Sequence, residues 1–247
     1  MVAMFSTARE RPYRTRHGGR FTPGVFAAAG LLLLAGCEDV LGPPPRPPDG
    51  PSSVTACVTD SGALIADLDG DGRPDRVADP TRRGAGLTVT FGFGTPYENT
   101  AGRRALADRA GTHQNYVRAV VADFDRDGWS DLVVVAGRNQ LGDSPIPPKV
   151  AELRFGPFSN TGRARRIRQL DLGPAKDIAV ADFDHDRHPD LSAYTYTGDG
   201  VYAWEARLGE PGRGLGPDTR EFTVDDTGRA DPSAFPATGL DPFYPRC

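Results

Sequence analysis

Asp123-Phe-Asp125-Arg-Asp127-Gly128-Trp-Ser-Asp131, set between Arg118-Ala-Val-Val-Ala122 and Leu132-Val-Val-Val135, is the stretch on which the fold reading turns. Two further copies flank it. Asp67-Leu-Asp69-Gly-Asp71-Gly72-Arg-Pro-Asp75 lies upstream and Asp182-Phe-Asp184-His-Asp186-Arg187-His-Pro-Asp190 downstream. Carboxylates at positions 1, 3, 5 and 9 of so short a loop repel one another unless a cation sits among them. A hard, all-oxygen donor set with glycine at position 6 for the sharp turn suits Ca2+. The copies begin 56 and then 59 residues apart, which marks the loop as part of a structural repeat.

An EF-hand requires glutamate at position 12, where this chain has Ala78, Val134 and Ala193, and its flanks must be helical. Neither condition is met. Asp-Gly pairs form solvated turns on their own, but that alternative does not account for four acids in register three times. The third loop departs from the pattern, because Arg187 stands where the others have glycine. A bulky residue in that turn costs about 1 kcal/mol, and its charge opposes a cation, so the third site is expected to bind most weakly. His185 and His188 raise zinc as an alternative there, yet a carboxylate cluster suits a hard cation and the histidines read as surface residues.

The flanking sequence is β-like. Ala63–Ala66, Arg118–Ala122 and Asp177–Ala181 lead into the loops, and Arg76–Ala78, Leu132–Val135 and Leu191–Tyr194 lead out. Leu87–Phe91, Val150–Phe155 and Val201–Leu208 follow as further strands. No amphipathic helix of ordinary length is visible beyond residue 53. The expected fold class is all-β, built of repeated hairpin units.

Val121-Ala-Asp-Phe-Asp-Arg-Asp-Gly-Trp-Ser-Asp-Leu-Val-Val-Val135 resembles the calcium loop of FG-GAP (VCBS-type) repeats, the blade unit of integrin-α-like β-propellers. Phe91-Gly92 and Phe155-Gly156 match the Phe-Gly half of that pattern; the Gly-Ala-Pro half is not intact. The resemblance covers roughly residues 55–210. It implies calcium bound by Asp67, Asp69, Asp71 and Asp75, by Asp123, Asp125, Asp127 and Asp131, and by Asp182, Asp184, Asp186 and Asp190. The backbone carbonyls of Arg73, Trp129 and His188 would complete the three sites. Seven blades are common in that family, whereas this length allows three or four, hence a small or incomplete propeller or one completed by another chain. A degenerate fourth unit is expected at Thr223–Asp231.

The N-terminus reads as an export signal. Residues 1–20 hold five arginines against one acid, and Phe21–Gly36 is apolar but short for a membrane span. Leu34-Ala35-Gly36-Cys37 resembles the bacterial lipoprotein processing box, which implies cleavage before Cys37 and lipidation of Cys37. An ordinary secretory signal with a chance cysteine, or a core helix, is the alternative. Residues 37–53 contain six prolines and read as an extended tether, with residues 54–247 as the β-repeat domain. Without residues 1–36, lysine plus arginine falls from 29 to 24 and aspartate plus glutamate from 33 to 32, so the charge moves from −4 to −8. Twelve of these acids are the loop aspartates. The acidity is local to them, and nothing points to nucleic acid. Export permits a disulfide between Cys57 and Cys247; free thiols are the other reading.

Arg163-Ala-Arg-Arg-Ile-Arg168 reads as a charged edge strand, with a site for an anionic glycan or phosphate as the alternative. No Gly-x-Ser-x-Gly, Cys-x-x-Cys or His-Glu-x-x-His occurs. The expected function is that of a non-enzymatic, lipid-anchored, calcium-binding protein of the bacterial cell envelope that engages a protein or glycan, with calcium in a structural role. The competing expectation is a glycan-active enzyme, similar to a polysaccharide lyase, in which a cleft would join His113 to a tyrosine and an arginine.

Overall fold

The structure, a computed structural model, describes residues 52–217 and 237–247. The expected signal segment 1–36, Cys37, the tether up to Pro51 and the stretch Thr223–Asp231 lie outside the described residues.

The chain is all-β, with antiparallel sheets and none closed into a barrel. The first sheet takes β1 (Cys57–Val58), β2 (Leu64–Ala66), β3 (Asp75–Ala78), β4 (Thr88–Phe91) and β5 (Asn99–Gly102) in sequential order. Two helical turns follow, α1 (Arg103–Leu106) and α2 (Asp108–Thr112). The second sheet runs β6 (Tyr116–Ala122), β7 (Asp131–Gly137), β8 (Val150–Phe155) and β9 (Arg166–Gln169). The third holds β10 (Ala175–Ala181), β11 (Asp190–Gly198) and β12 (Val201–Arg207), and a short hairpin pairs β13 (Gly209–Glu210) with β14 (Gly214–Leu215). Sequential meanders of this kind need only short connections between neighbouring strands. Among the described residues no helix is long and apolar enough to cross a membrane.

Each acidic loop closes a hairpin of the same register. The alanine before the loop faces the aspartate that ends it, as Ala66 with Asp75, Ala122 with Asp131 and Ala181 with Asp190. A one-residue slip would turn every apolar side chain to the wrong face, so this shared register fixes how each sheet meets its neighbour.

The second sheet is the middle layer. Val117, Ala119, Val121, Leu132, Val134 and Ala136 pack with Leu64, Val77, Val89 and Phe91 of the first sheet. Their alternates Val120, Ala122, Val133, Val135, Leu153 and Phe155 pack with Ile178, Val180, Leu191 and Ala193 of the third. This explains the unbroken apolar run at β7, where every residue is buried; a strand covered on one face alternates, and one covered on both does not. Burying a side chain of this size stabilises by about 1.5–3 kcal/mol, so the two cores dominate the fold. The buried Arg154 of β8 faces the first-sheet side. It pairs with Glu152 at 2.7 Å and donates to the carbonyls of Leu106 and Ala107, which anchors the two helical turns.

The C-terminal residues return to the first sheet. Val58 N–H donates to the Pro245 carbonyl at 2.8 Å, and Cys247 N–H to the Val58 carbonyl at 3.0 Å, as a parallel bridge beside β1. Cys57 and Cys247, 190 residues apart, are joined in a disulfide. Replacing both with serine should lower unfolding stability by about 2–5 kcal/mol, read from denaturant titrations with and without reductant. A stability equal to that of the oxidised wild type would show that the bridge does not form.

Candidate metal centre

The aspartates of each loop divide into two jobs. At position 9, Asp75, Asp131 and Asp190 are at most 1% exposed. One oxygen of each accepts the N–H of the loop's second residue: Leu68 at 2.7 Å, Phe124 at 3.0 Å and Phe183 at 2.7 Å. The other accepts from a glycine beyond the next strands: Gly92 at 2.7 Å, Gly156 at 3.2 Å and Gly209 at 2.8 Å. The position-9 carboxylate therefore clamps the acidic loop to a glycine turn 17, 25 or 19 residues downstream. At two of these glycines a side chain has no room. A Cβ on Gly156 would lie 2.4 Å from the Ser130 carbonyl oxygen, and one on Gly209 would lie 2.4 Å from that of Pro189.

In the first two loops positions 1, 3 and 5 curl around a common point. Asp67, Asp69 and Asp71 each bring a carboxylate oxygen within 4.8 Å of the others', as do Asp123, Asp125 and Asp127. In the third loop the converging group is Asp182, Asp184 and Asp190. The curl repeats in its hydrogen bonds. The position-5 oxygen accepts the N–H of Arg73, Trp129 or His188, each at 2.8 Å. The position-5 N–H donates back to Asp69 at 3.2 Å, Asp125 at 3.3 Å or Asp184 at 3.2 Å. Position 4 adopts a left-handed φ in all three loops, as Gly70, Arg126 and His185, and so does position 6, as Gly72, Gly128 and Arg187. The strained position-6 residue expected in the third loop is thus present at φ 66°.

The third loop differs in its anchoring as well. Gly72 and Gly128 donate their N–H to Asp67 and Asp123 at 3.1 and 3.0 Å. Asp182 instead has a buried Oδ1 with no hydrogen-bond partner. Arg126 reaches from the second loop to pair with Asp186, and also donates to the Gly209 carbonyl at 3.2 Å. A guanidinium therefore neutralises Asp186, whose carboxyl lies below the usual range: burial opposes this, but the His188 amide and Arg126 outweigh it. In the second loop Arg165 lies 3.3 Å from Asp127 and Arg166 lies 3.8 Å from Asp125. Two further contacts hold the loops: Ser52 donates its hydroxyl to Asp67 at 3.1 Å, and Asp123 N–H donates to the Tyr244 hydroxyl at 3.2 Å.

Burial, reinforced by neighbouring carboxylates, pushes Asp69, Asp75, Asp123 and Asp190 up to about 6 and Asp131 up to about 8. The amide bonds pull the other way and do not prevail. These clusters of aspartates could bind a metal ion, which would remove the repulsion at its source.

Several of these features were not anticipated from sequence. Gly209 plays the part of Gly92 and Gly156, and the shared apolar-Gly pattern of Phe91-Gly92, Phe155-Gly156 and Leu208-Gly209 was the available signal. Arg126 carried none, because its partner lies 60 residues away. His113 ends α2, exposed, and does not line the cleft formed by Tyr116, Arg118, Lys176 and Tyr202. That cleft therefore does not join His113 to its tyrosines and arginine, the arrangement that would have favoured the glycan-active reading. No protein-family model matches the chain, and neither a curated protein nor a solved structure matches it.

Two outcomes should follow. Asp131→Ala leaves the Phe124 and Gly156 amides unpaired and should cost about 2–4 kcal/mol, whereas Asp127→Ala should cost under about 1 kcal/mol; denaturant midpoints decide. Under chelator, the raised carboxyls hold protons in the folded state that the unfolded chain releases. Stability should therefore be greatest below about pH 4 and fall as pH rises through 6 to 8. A melting temperature that rises across that window with chelator present would contradict this.

Proposed function

We propose that this chain is a lipid-anchored, calcium-binding β-repeat protein of the bacterial cell envelope, acting as an adhesion or protein/glycan interaction module. In this reading its three acidic hairpins are FG-GAP/VCBS-type blade units, and calcium is structural. The threefold recurrence of the acidic curl above a buried aspartate clamp is the observation that carries the reading. Carboxylates with backbone oxygens and no thiolate or amine ligands favour calcium over zinc. Each ion would neutralise its loop and lock the hairpin that sets the sheet register, so metal binding would become folding stability. Occupancy at a hundredfold excess over Kd adds about 2.7 kcal/mol per site. The anchor half of the reading rests on Leu34–Cys37, and the binding half on a surface formed by strands of the second and third sheets and the loop after β7. There Tyr116, Arg118, Asn139, Gln140, Lys176 and Tyr202 line a cleft of about 240 Å³, an aromatic and amide surface suited to a sugar or a peptide.

Calcium should raise the melting temperature, chelator should reverse the gain, and equimolar magnesium should give less, since it demands a tighter octahedral site. Calorimetric titration should show Asp67→Ala and Asp123→Ala losing most calcium affinity and Asp182→Ala least. A largest loss with Asp182→Ala would overturn that ranking, and no calcium response in the wild type would overturn the metal reading. In cell fractionation, Cys37→Ser should move the protein from the membrane to the soluble fraction; unchanged membrane association would remove the lipid anchor.

A further inference from the structure

A second charged site, opposite in sign to the loops, lies at the outer rim between the second and third sheets. It is an open cleft of about 490 Å³. Arg166 and Arg168 enter it from β9, Arg207 from β12 and Arg213 from the turn joining β13 to β14. These four arginines come from three separate elements, so their meeting is a product of the fold and not of a local run. Like charges gathered this way repel, and an edge strand protected by charge needs its cations in solvent, not converging under a neighbouring sheet.

The hydrogen bonding of the two inner arginines is incomplete. Arg207 is 6% exposed. It donates one terminal nitrogen to the Asp171 carbonyl and lies 3.7 Å from Glu205, yet its buried Nε has no partner. Arg168 donates to the Leu215 carbonyl, and its Nε is likewise buried and unpartnered. Among the described residues no carboxylate lies within ion-pair distance of Arg168. The outer two are held in place differently. Arg166 stacks on Phe155, 3.7 Å from the ring centroid, and shares Asp125 with the second acidic loop. Arg213 is largely exposed beside Glu210 at 3.6 Å.

We propose that this cleft binds a tetrahedral oxyanion of the sulfate or phosphate type, held by Arg168 and Arg207 at its floor and Arg213 at its mouth. A guanidinium presents its donors as a planar fork, and an oxyanion with several acceptor oxygens meets more than one fork at once. Such an anion would accept from the terminal guanidinium nitrogens that line the cleft and offset the cluster's charge. The same group borne on a polymer, as a sulfate or phosphate ester, would find the cleft open enough to enter. Arg168, Arg207 and Arg213 form no ion pair with the aspartate clusters, and the cleft touches the second loop only at Asp125, through Arg166 and Gly212.

The test is a sodium sulfate titration of the full chain at fixed ionic strength, balanced with sodium chloride and followed by calorimetry and by the arginine Nε–H NMR signals. Saturable one-site binding is expected, with the Arg168 and Arg207 signals moving together. Arg168→Gln should weaken binding by about tenfold or more. Arg213→Gln, at an exposed position that folding does not need, should weaken it by about threefold. Acetate should bind at least about tenfold more weakly than sulfate, and the tighter of inorganic phosphate and sulfate identifies which ester the cleft prefers. No saturable response beyond that of chloride, or sulfate affinity unchanged in both variants, would overturn the proposal.

Discussion

A buried carboxylate bridging two backbone amides is the contact on which the rest of this structure depends. Asp75, Asp131 and Asp190 each accept from the start of their own loop and from a glycine past the following strands. Without that bridge the curl of positions 1, 3 and 5 would have no floor, and the hairpin register would rest on strand pairing alone. The bridge carries a cost, because a carboxylate so far from solvent resists ionisation and sits beside three others of like charge. Amide donors offset part of that cost, and a cation would offset more. The fold thus accepts electrostatic tension at the place where it is most tightly organised.

From that point the order propagates outward. The shared alanine-to-aspartate register turns one set of residues of the second sheet toward the first and the alternate set toward the third. The middle sheet therefore belongs to two cores, and neither outer sheet can leave without exposing it. The acidic loops communicate as well: Arg126 of the second reaches Asp186 of the third, and Gly212 beyond β13 donates to the Asp125 carbonyl. Loop geometry and sheet stacking constrain one another.

Much of this was legible in the sequence, for reasons that can be named. Period-2 patterning and turn residues located the hairpins, but the apolar run Leu132–Val135 was read only as a strand leaving its loop, and its burial on both faces emerged from the stacking of the sheets. The charged stretch ending at Arg168 read as an edge strand, and β9 lies at the edge of its sheet. What sequence could not assign was the division of labour among the aspartates, because spacing specifies ligand type but not which oxygens the backbone amides engage. Asn99–Gly102 was missed as a strand for want of apolar alternation; its partners on β4 supply the pairing. The helical turns at 103–112 owe their position to Arg154, some 47 residues away. The arginine convergence between β9, β12 and the β13–β14 turn was equally hidden, since only the stacking of two sheets brings those residues together.

The link between Cys57 and Cys247 changes what a break in the chain can do. The long connection of residues 138–149, almost wholly exposed, is the natural place for a protease to cut. After such a cut the segment carrying β1 to β7 and the segment carrying β8 to β14 remain covalently joined through the bridge, and the middle sheet still holds strands from both. Topologically the polypeptide from residue 57 to residue 247 is a ring, and no single peptide bond within it is needed to keep its pieces in one molecule.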